Sequence, residues 1–217
     1  MHVLMTLLVF CGLVCFDLLG CATLGPKPDP SRFYTLTPVP QAEQTPAKSA
    51  SGSGQFSLGV GPIKFPGYLD REELVSRISQ NRLSIAENDH WAESLADNFA
   101  RVLAQNLTAL LQTDRIMIYP WPSNRRPAYR VEIEVLRFEP DAGRNAQLFA
   151  RWIVRDAGEK TPPTARETRL TRPINESSTE ASVAALSAAL GDLSQEIAAA
   201  VRAMENQTPA GSQAAAQ

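Results

Sequence analysis

Apolar positions in this chain recur with two different periods, and the places where the period changes mark the expected elements. Phe56–Ile63 alternates apolar with small or polar residues, the period-two pattern of a strand. Leu74–Ser79 and Arg82–Ala86 alternate in the same way on either side of Gln80-Asn81 and predict a hairpin. The spacing then lengthens to three and four. Trp91, Leu95, Phe99, Val102, Leu103, Asn106, Leu107, Leu110 and Leu111 fall on one helical stripe, with Asn88 or Asp89 placed to cap its start. Arg115–Tyr119 reads as a short strand stopped by Pro120. A loop with Pro120-Trp121-Pro122 and Arg125-Arg126-Pro127 follows.

Three further strands are predicted at Tyr129–Phe138, Ala146–Arg155 and Thr164–Leu170. In the first, Tyr129, Val131, Ile133, Val135 and Arg137 share a face. The second carries apolar residues on both faces. Ser178-Thr179-Glu180 opens a second long helix, whose stripe is Val183, Leu186, Leu190, Leu193, Ile197, Val201 and Met204. Nearer the N-terminus, Ser31–Pro38 predicts a strand, and residues 39–54 are a low-complexity loop. The sum is an α+β fold: a mixed, mostly antiparallel sheet with two long amphipathic helices packed on one face, an α/β sandwich. One domain over residues 31–204 is expected, followed by a disordered tail at 205–217.

The first residues are of a different kind. An apolar run from Val3 to Leu19 ends in Leu18-Leu19-Gly20-Cys21, and polar and Gly/Pro residues follow at once. This is the pattern of a secretory signal, and the cysteine after Leu-Leu-Gly makes it a bacterial lipoprotein signal. Residues 1–20 are then removed, cleavage falls between Gly20 and Cys21, and residues 21–30 form a lipidated tether. Each buried methylene contributes about 0.8 kcal/mol, so two or three acyl chains on Cys21 hold a protein at a membrane. An uncut signal-anchor is the alternative. It would place Asp17 inside the bilayer, in a run near the lower length limit for spanning it.

Cysteine and histidine usage narrows the chemistry. The cysteines are Cys11, Cys15 and Cys21, so cleavage leaves only the acylated one and no disulfide, thiolate metal site or cysteine nucleophile is expected. His90 is the sole histidine of the mature chain, too few for a serine triad or a His-rich metal site, and it reads as a surface or turn residue. Removing residues 1–20 takes away Asp17 and no Lys or Arg, which moves the net charge from −2 to −1. That balance gives no footprint for nucleic acid. No catalysis, cofactor or metal is expected. The candidate contact residues lie in two Pro-rich loops: Tyr68, Leu69, Asp70 and Arg71 in one, Trp121 in the other. Closing the edge of the core is the alternative role for Tyr68 and Trp121.

Cys21, Arg32-Phe33-Tyr34-Thr35-Leu36, Gly59-Val60-Gly61-Pro62-Ile63 and Pro66-Gly67-Tyr68-Leu69-Asp70-Arg71 together resemble the PqiC-like ABC-type transport auxiliary lipoproteins. The likeness continues in order through Asn81-Arg82-Leu83, Trp91–Leu95, Val102–Leu107, Tyr129–Ile133 and Phe138-Glu139. It implies a membrane integrity-associated transporter subunit: an outer-membrane lipoprotein on the periplasmic face. Its partners would be a periplasm-spanning MCE-domain protein and an inner-membrane transporter subunit, in lipid or hydrophobic-solute traffic. Ala22, where an aspartate would signal retention, agrees with export to the outer membrane. A homo-oligomer is compatible with this role. A lipid-binding shuttle and a regulator of a cell-wall synthase or secretion assembly are the alternatives.

Overall fold

A computed structural model describes residues 28–39 and 56–207. Gly20, Cys21, most of the tether and of the 39–54 loop, and residues 208–217 lie outside the described residues, whereas residues 205–207, expected in the disordered tail, are helical. In chain order the elements are β1 (Arg32–Tyr34), β2 (Leu58–Lys64), a single 3₁₀ turn (Gly67–Leu69), β3 (Glu73–Ser79), β4 (Arg82–Trp91), α1 (Leu95–Leu111), β5 (Ile116–Ile118), β6 (Tyr129–Pro140), β7 (Asn145–Asp156), β8 (Thr164–Pro173) and α2 (Thr179–Gln207). The architecture is mixed α+β, with helices packed on a sheet.

The strands divide between two sheets, a five-stranded one in the order β5-β2-β6-β7-β8 and a three-stranded one in the order β1-β4-β3. β2 runs parallel to both β5 and β6, and β6, β7 and β8 form an antiparallel meander. The small sheet pairs β1 parallel to β4 and β3 antiparallel to it. α1 packs on β2 and β5, and α2 on β6, β7 and β8. Between these layers Leu58, Val60, Val131, Val135, Leu148, Ala150 and Val154 from the sheet meet Phe99, Leu103, Leu107, Leu190, Leu193 and Ile197 from the helices, all essentially inaccessible to solvent. Burying each large side chain stabilises the fold by about 1.5–3 kcal/mol.

Three sequence-based expectations need correction. The first helix begins at Leu95, with Ser94 at its N-cap, and Trp91 belongs to β4 instead. Trp91 fits either pattern, because it lies one helical turn before Leu95 and two residues after Asp89. Pairing with β1 decides the matter, since Tyr34 lies opposite Trp91 and the Ala92 N–H donates to the Tyr34 carbonyl (2.8 Å). Asp89 is therefore not a cap. Its carboxylate accepts from Arg32 Nε (2.6 Å), Tyr34 Oη (3.3 Å) and Thr179 Oγ1 (2.8 Å). In β6, Arg137 does not share the face of Val135. A bulge places Val135 opposite Ala150 and Arg137 opposite Phe149, so the alternation changes phase and Phe138 turns inward. There it meets Phe99 edge-on, with ring centroids 5.3 Å apart.

The expected first strand is likewise shorter than Ser31–Pro38. After Tyr34 the chain leaves the sheet and lies over α1 and α2. The Leu36 N–H donates to Asn98 Oδ1 (2.7 Å), that of Thr37 to Ser187 Oγ (3.1 Å) and that of Val39 to Asn106 Oδ1 (3.0 Å). Asn106 Nδ2 continues across to Ser194 Oγ (3.1 Å). Pro38 has no N–H, so every backbone donor from 36 to 39 is held by a helix side chain. A Cβ on Gly191 would collide with the Val39 side chain, so this helix glycine is where the strap seats.

Candidate docking surface

The loop holding Trp121 is positioned by an unusual connection. β5 and β6 flank β2 on opposite sides and run parallel to it, so residues 119–128 must return across the face of β2 that the helices leave open. Two glycines of β2 make room for this passage. A Cβ at Gly59 would lie 2.7 Å from Pro127 Cγ and 2.9 Å from Trp121 Cζ3, and one at Gly61 would lie 2.8 Å from Tyr119 Cβ. Gly61 also adopts φ +113°, a conformation that side chains disfavour. Trp121 is half-buried on this seat and meets Tyr119 edge-on at 5.3 Å between centroids. Its ring is thus a support for the loop. The aromatic surface left to solvent is that of Tyr119, 52% exposed, beside Ile118 at 40%. Sequence reasoning placed Tyr119 in a strand and overlooked it. The signal was there, in a Tyr-Pro step beside a Gly-x-Gly strand.

The other predicted loop follows the far end of β2. Leu69 is buried at 4% exposure and belongs to the core. Tyr68 is half-buried, and its hydroxyl donates to Glu139 Oε2 (2.9 Å) and approaches the Leu136 carbonyl (3.4 Å). Glu139 is fully buried. Its Oε1 accepts from Arg77 Nε (2.8 Å) and Arg137 Nε (3.0 Å), and its Oε2 from the Phe138 N–H (2.9 Å). Burial pushes the Tyr68 hydroxyl pKa up to about 12, and the Glu139 charge and hydrogen bond act in the same direction. Tyr68 therefore ties the 3₁₀ turn to β3 and β6. Asp70 and Arg71 are exposed, and they line a cleft of about 330 Å³ with Phe65, Leu69, Glu93 and Leu95. The two loops sit at opposite ends of β2, so the structure does not bring Asp70 and Arg71 together with Trp121.

His90 lies in β4 with its ring against Phe33, 5.7 Å between centroids. Among the described residues no group of three His, Cys, Asp or Glu side chains is placed to hold a metal ion, and no helix is long and apolar enough to cross a membrane. Five clefts along the described surface each carry charged side chains in their lining.

Comparison with known proteins follows the fold. A family model described as "ABC-type transport auxiliary lipoprotein component" matches residues 34–198. Among solved structures, one of an uncharacterized protein superposes with a TM-score of 0.63 at 18% identity, covering 79% of this chain and 98% of that one. A protein from Xanthomonas campestris gives a TM-score of 0.62 at 18% identity, covering 81% of this chain and 98% of its own. At that identity the two structures speak to the fold alone. Among curated proteins, none matched.

Proposed function

The chain belongs to the ABC-type transport auxiliary lipoprotein family, and from that premise we propose that it is the outer-membrane docking subunit of an MCE-type transport system for lipids or hydrophobic solutes. In this reading Cys21, acylated after cleavage at Gly20, holds the domain on the periplasmic face of the outer membrane. The folded domain receives the end of a periplasm-spanning MCE-domain protein, whose other end meets an inner-membrane transporter subunit. No chemistry is performed, and the complex preserves envelope integrity.

The family match across the folded domain is the observation that carries this reading. Three features support it. Leu18-Leu19-Gly20-Cys21 is an anchoring signal. Ile118, the last residue of β5, and Tyr119, on the loop that Gly59 and Gly61 hold in place, stand exposed together, so little ordering is needed when a partner binds. The space between helices and sheet is filled by Phe99, Phe138 and leucines, which favours docking over a shuttle that would enclose a lipid. Tethering raises the local concentration of the second contact, so a modest interface suffices.

The test is site-specific photocrosslinking in the native envelope from positions 70, 71 and 119 of the full-length chain, with mass-spectrometric identification of the adducts. Adducts with an MCE-domain protein are expected, together with loss of palmitate labelling and of outer-membrane fractionation in Cys21→Ser. Adducts with a cell-wall synthase or a secretion component, and none with an MCE protein, would replace this reading by the regulatory one.

A further inference from the structure

We propose that the outer edge of β5 accepts an extended, carboxylate-bearing segment of a partner protein by strand addition. The proposal rests on the docking reading and names the chemistry of one contact. β5 is a terminal strand of the five-stranded sheet, and among the described residues no strand pairs with its outer edge. The Leu58 N–H donates to the Arg115 carbonyl (3.0 Å) and the Tyr119 N–H to the Val60 carbonyl (2.9 Å). Residues 115 and 119 thus turn their backbone polar groups toward β2. Strand alternation turns those of Ile116 and Ile118 the other way, out to the free edge.

The two edges of this sheet are guarded differently. β8, at the far side, carries Arg166, Arg169 and Arg172 among threonines, the charged sequence with which proteins block unwanted pairing. β5 reads Ile-Met-Ile, and Ile118 leaves 40% of its surface in solvent. Nothing in that strand repels an incoming one. Beside it lies a cleft of about 770 Å³ lined by Ile116 and Met117 together with Arg115, Arg125 and Arg126, against the single carboxylate of Asp114. Neither Arg125 nor Arg126 forms an ion pair among the described residues. An apolar edge that shares this cleft with the guanidinium groups of Arg125 and Arg126 fits an extended peptide that alternates apolar side chains with Asp or Glu. The backbone edge would supply affinity and the arginines the choice of sequence. Only Ile116 and Ile118 offer outward groups, so the pairing is short and the affinity modest, as suits a contact reinforced by a tether.

The test measures fluorescence anisotropy of short labelled peptides on the purified mature chain. The probes are an alternating Val/Glu peptide, its Val/Lys counterpart, and two forms of the Val/Glu peptide N-methylated at alternate residues in opposite phases. The Val/Glu peptide is expected to bind about tenfold or more tighter than Val/Lys, and one N-methylation phase alone to abolish the gain. Arg125→Glu with Arg126→Glu should reverse the charge preference. Failure of any peptide to bind, equal binding of the two charge types, or indifference to both N-methylation phases overturns the proposal. So does a concentration-dependent dimer, abolished by Ile118→Pro, in a chain that binds no peptide, because the edge would then belong to a second copy. These probes need no transport partner, so they remain informative if crosslinking to an MCE protein fails. Loss of peptide binding, in turn, leaves the crosslinking result standing.

Discussion

Trp121 rests on the backbone of Gly59, so close that a Cβ at that position would stand 2.9 Å from the indole Cζ3. The contact makes a strand glycine a requirement of the loop above it. Gly59→Ala should lift the 119–128 crossover and cost about 1–3 kcal/mol, the range for overpacking a filled site. Thermal unfolding with intrinsic tryptophan fluorescence checks it. Wild-type stability with an unchanged emission maximum would show that the loop is not seated there. Gly61→Ala should cost more, because it adds a positive φ to the clash with Tyr119.

Tyr68 gives the fold an alkaline weakness. In the unfolded chain its hydroxyl ionises near the ordinary value of 10.0, whereas the folded protein holds the proton until about 12. Across that window the folded state binds more protons, so stability falls as pH rises from about 10 to 12 and is unaffected by this group below it. Tyr68→Phe should flatten the difference. Urea unfolding of both proteins at neutral pH and in that alkaline window provides the measurement, and parallel curves would show that Tyr68 makes no such contribution.

Asp89 works in the opposite direction. Burial raises its carboxyl pKa, but hydrogen bonds from Thr179, Arg32 and Tyr34 and the Arg32 charge outweigh that and hold it below the ordinary 3.8. Its stabilisation is therefore present above that value and lost as pH falls through the lowered one. Asp89→Asn should destabilise the protein at pH 7 by about 1–3 kcal/mol, with the gap to wild type closing in acid. A gap independent of pH would point to packing alone.

The strap over the helices has its own test. Asn98 and Asn106 are eight residues apart, about 12 Å along α1, and the N–H groups they hold at Leu36 and Val39 are about 10 Å apart in an extended chain. Asn98→Ala with Asn106→Ala should free these amides at a cost of about 1–3 kcal/mol for the buried Leu36 donor and less for the part-buried Val39 one. Hydrogen exchange at residues 36 and 39 should rise toward the unprotected rate while β7 stays protected. Continued protection at both positions would show that the asparagines are not what holds the strap.

How much of this was visible beforehand depended on range. The β3–β4 hairpin, the β6–β8 meander and both helix stripes have local periods and could be read directly. The split into two sheets rests on parallel pairings such as Phe33 with His90 and Gly59 with Met117, between segments far apart in sequence with no local signature. That Tyr68 closes the edge of the core stood as the alternative, but the partner that holds it was hidden for a related reason. Its partner Glu139 sits beyond a bulge, and strict alternation from Tyr129 would have put a glutamate there on the same face as Val135. The strap left only a faint mark, polar Asn106 on an apolar stripe. The reading of Cys21 as a lipidation site rests on a purely linear signal that lies outside the described residues.

The crossover on β2 also bears on the order in which the protein assembles. β2 has β5 and β6 on its two edges, α1 beneath it and residues 119–128 above it. Such a strand has no side from which to slip out. The loop must lift, or a flanking strand must detach, before β2 can leave. The meander joins neighbours in sequence and closes few long loops, whereas β2 must wait for β6, so late insertion of β2 is the expected order. Once the loop has closed over it, the amides of Leu58 and Val60 should be among the last in the protein to exchange, released by a slow opening and not by local fraying.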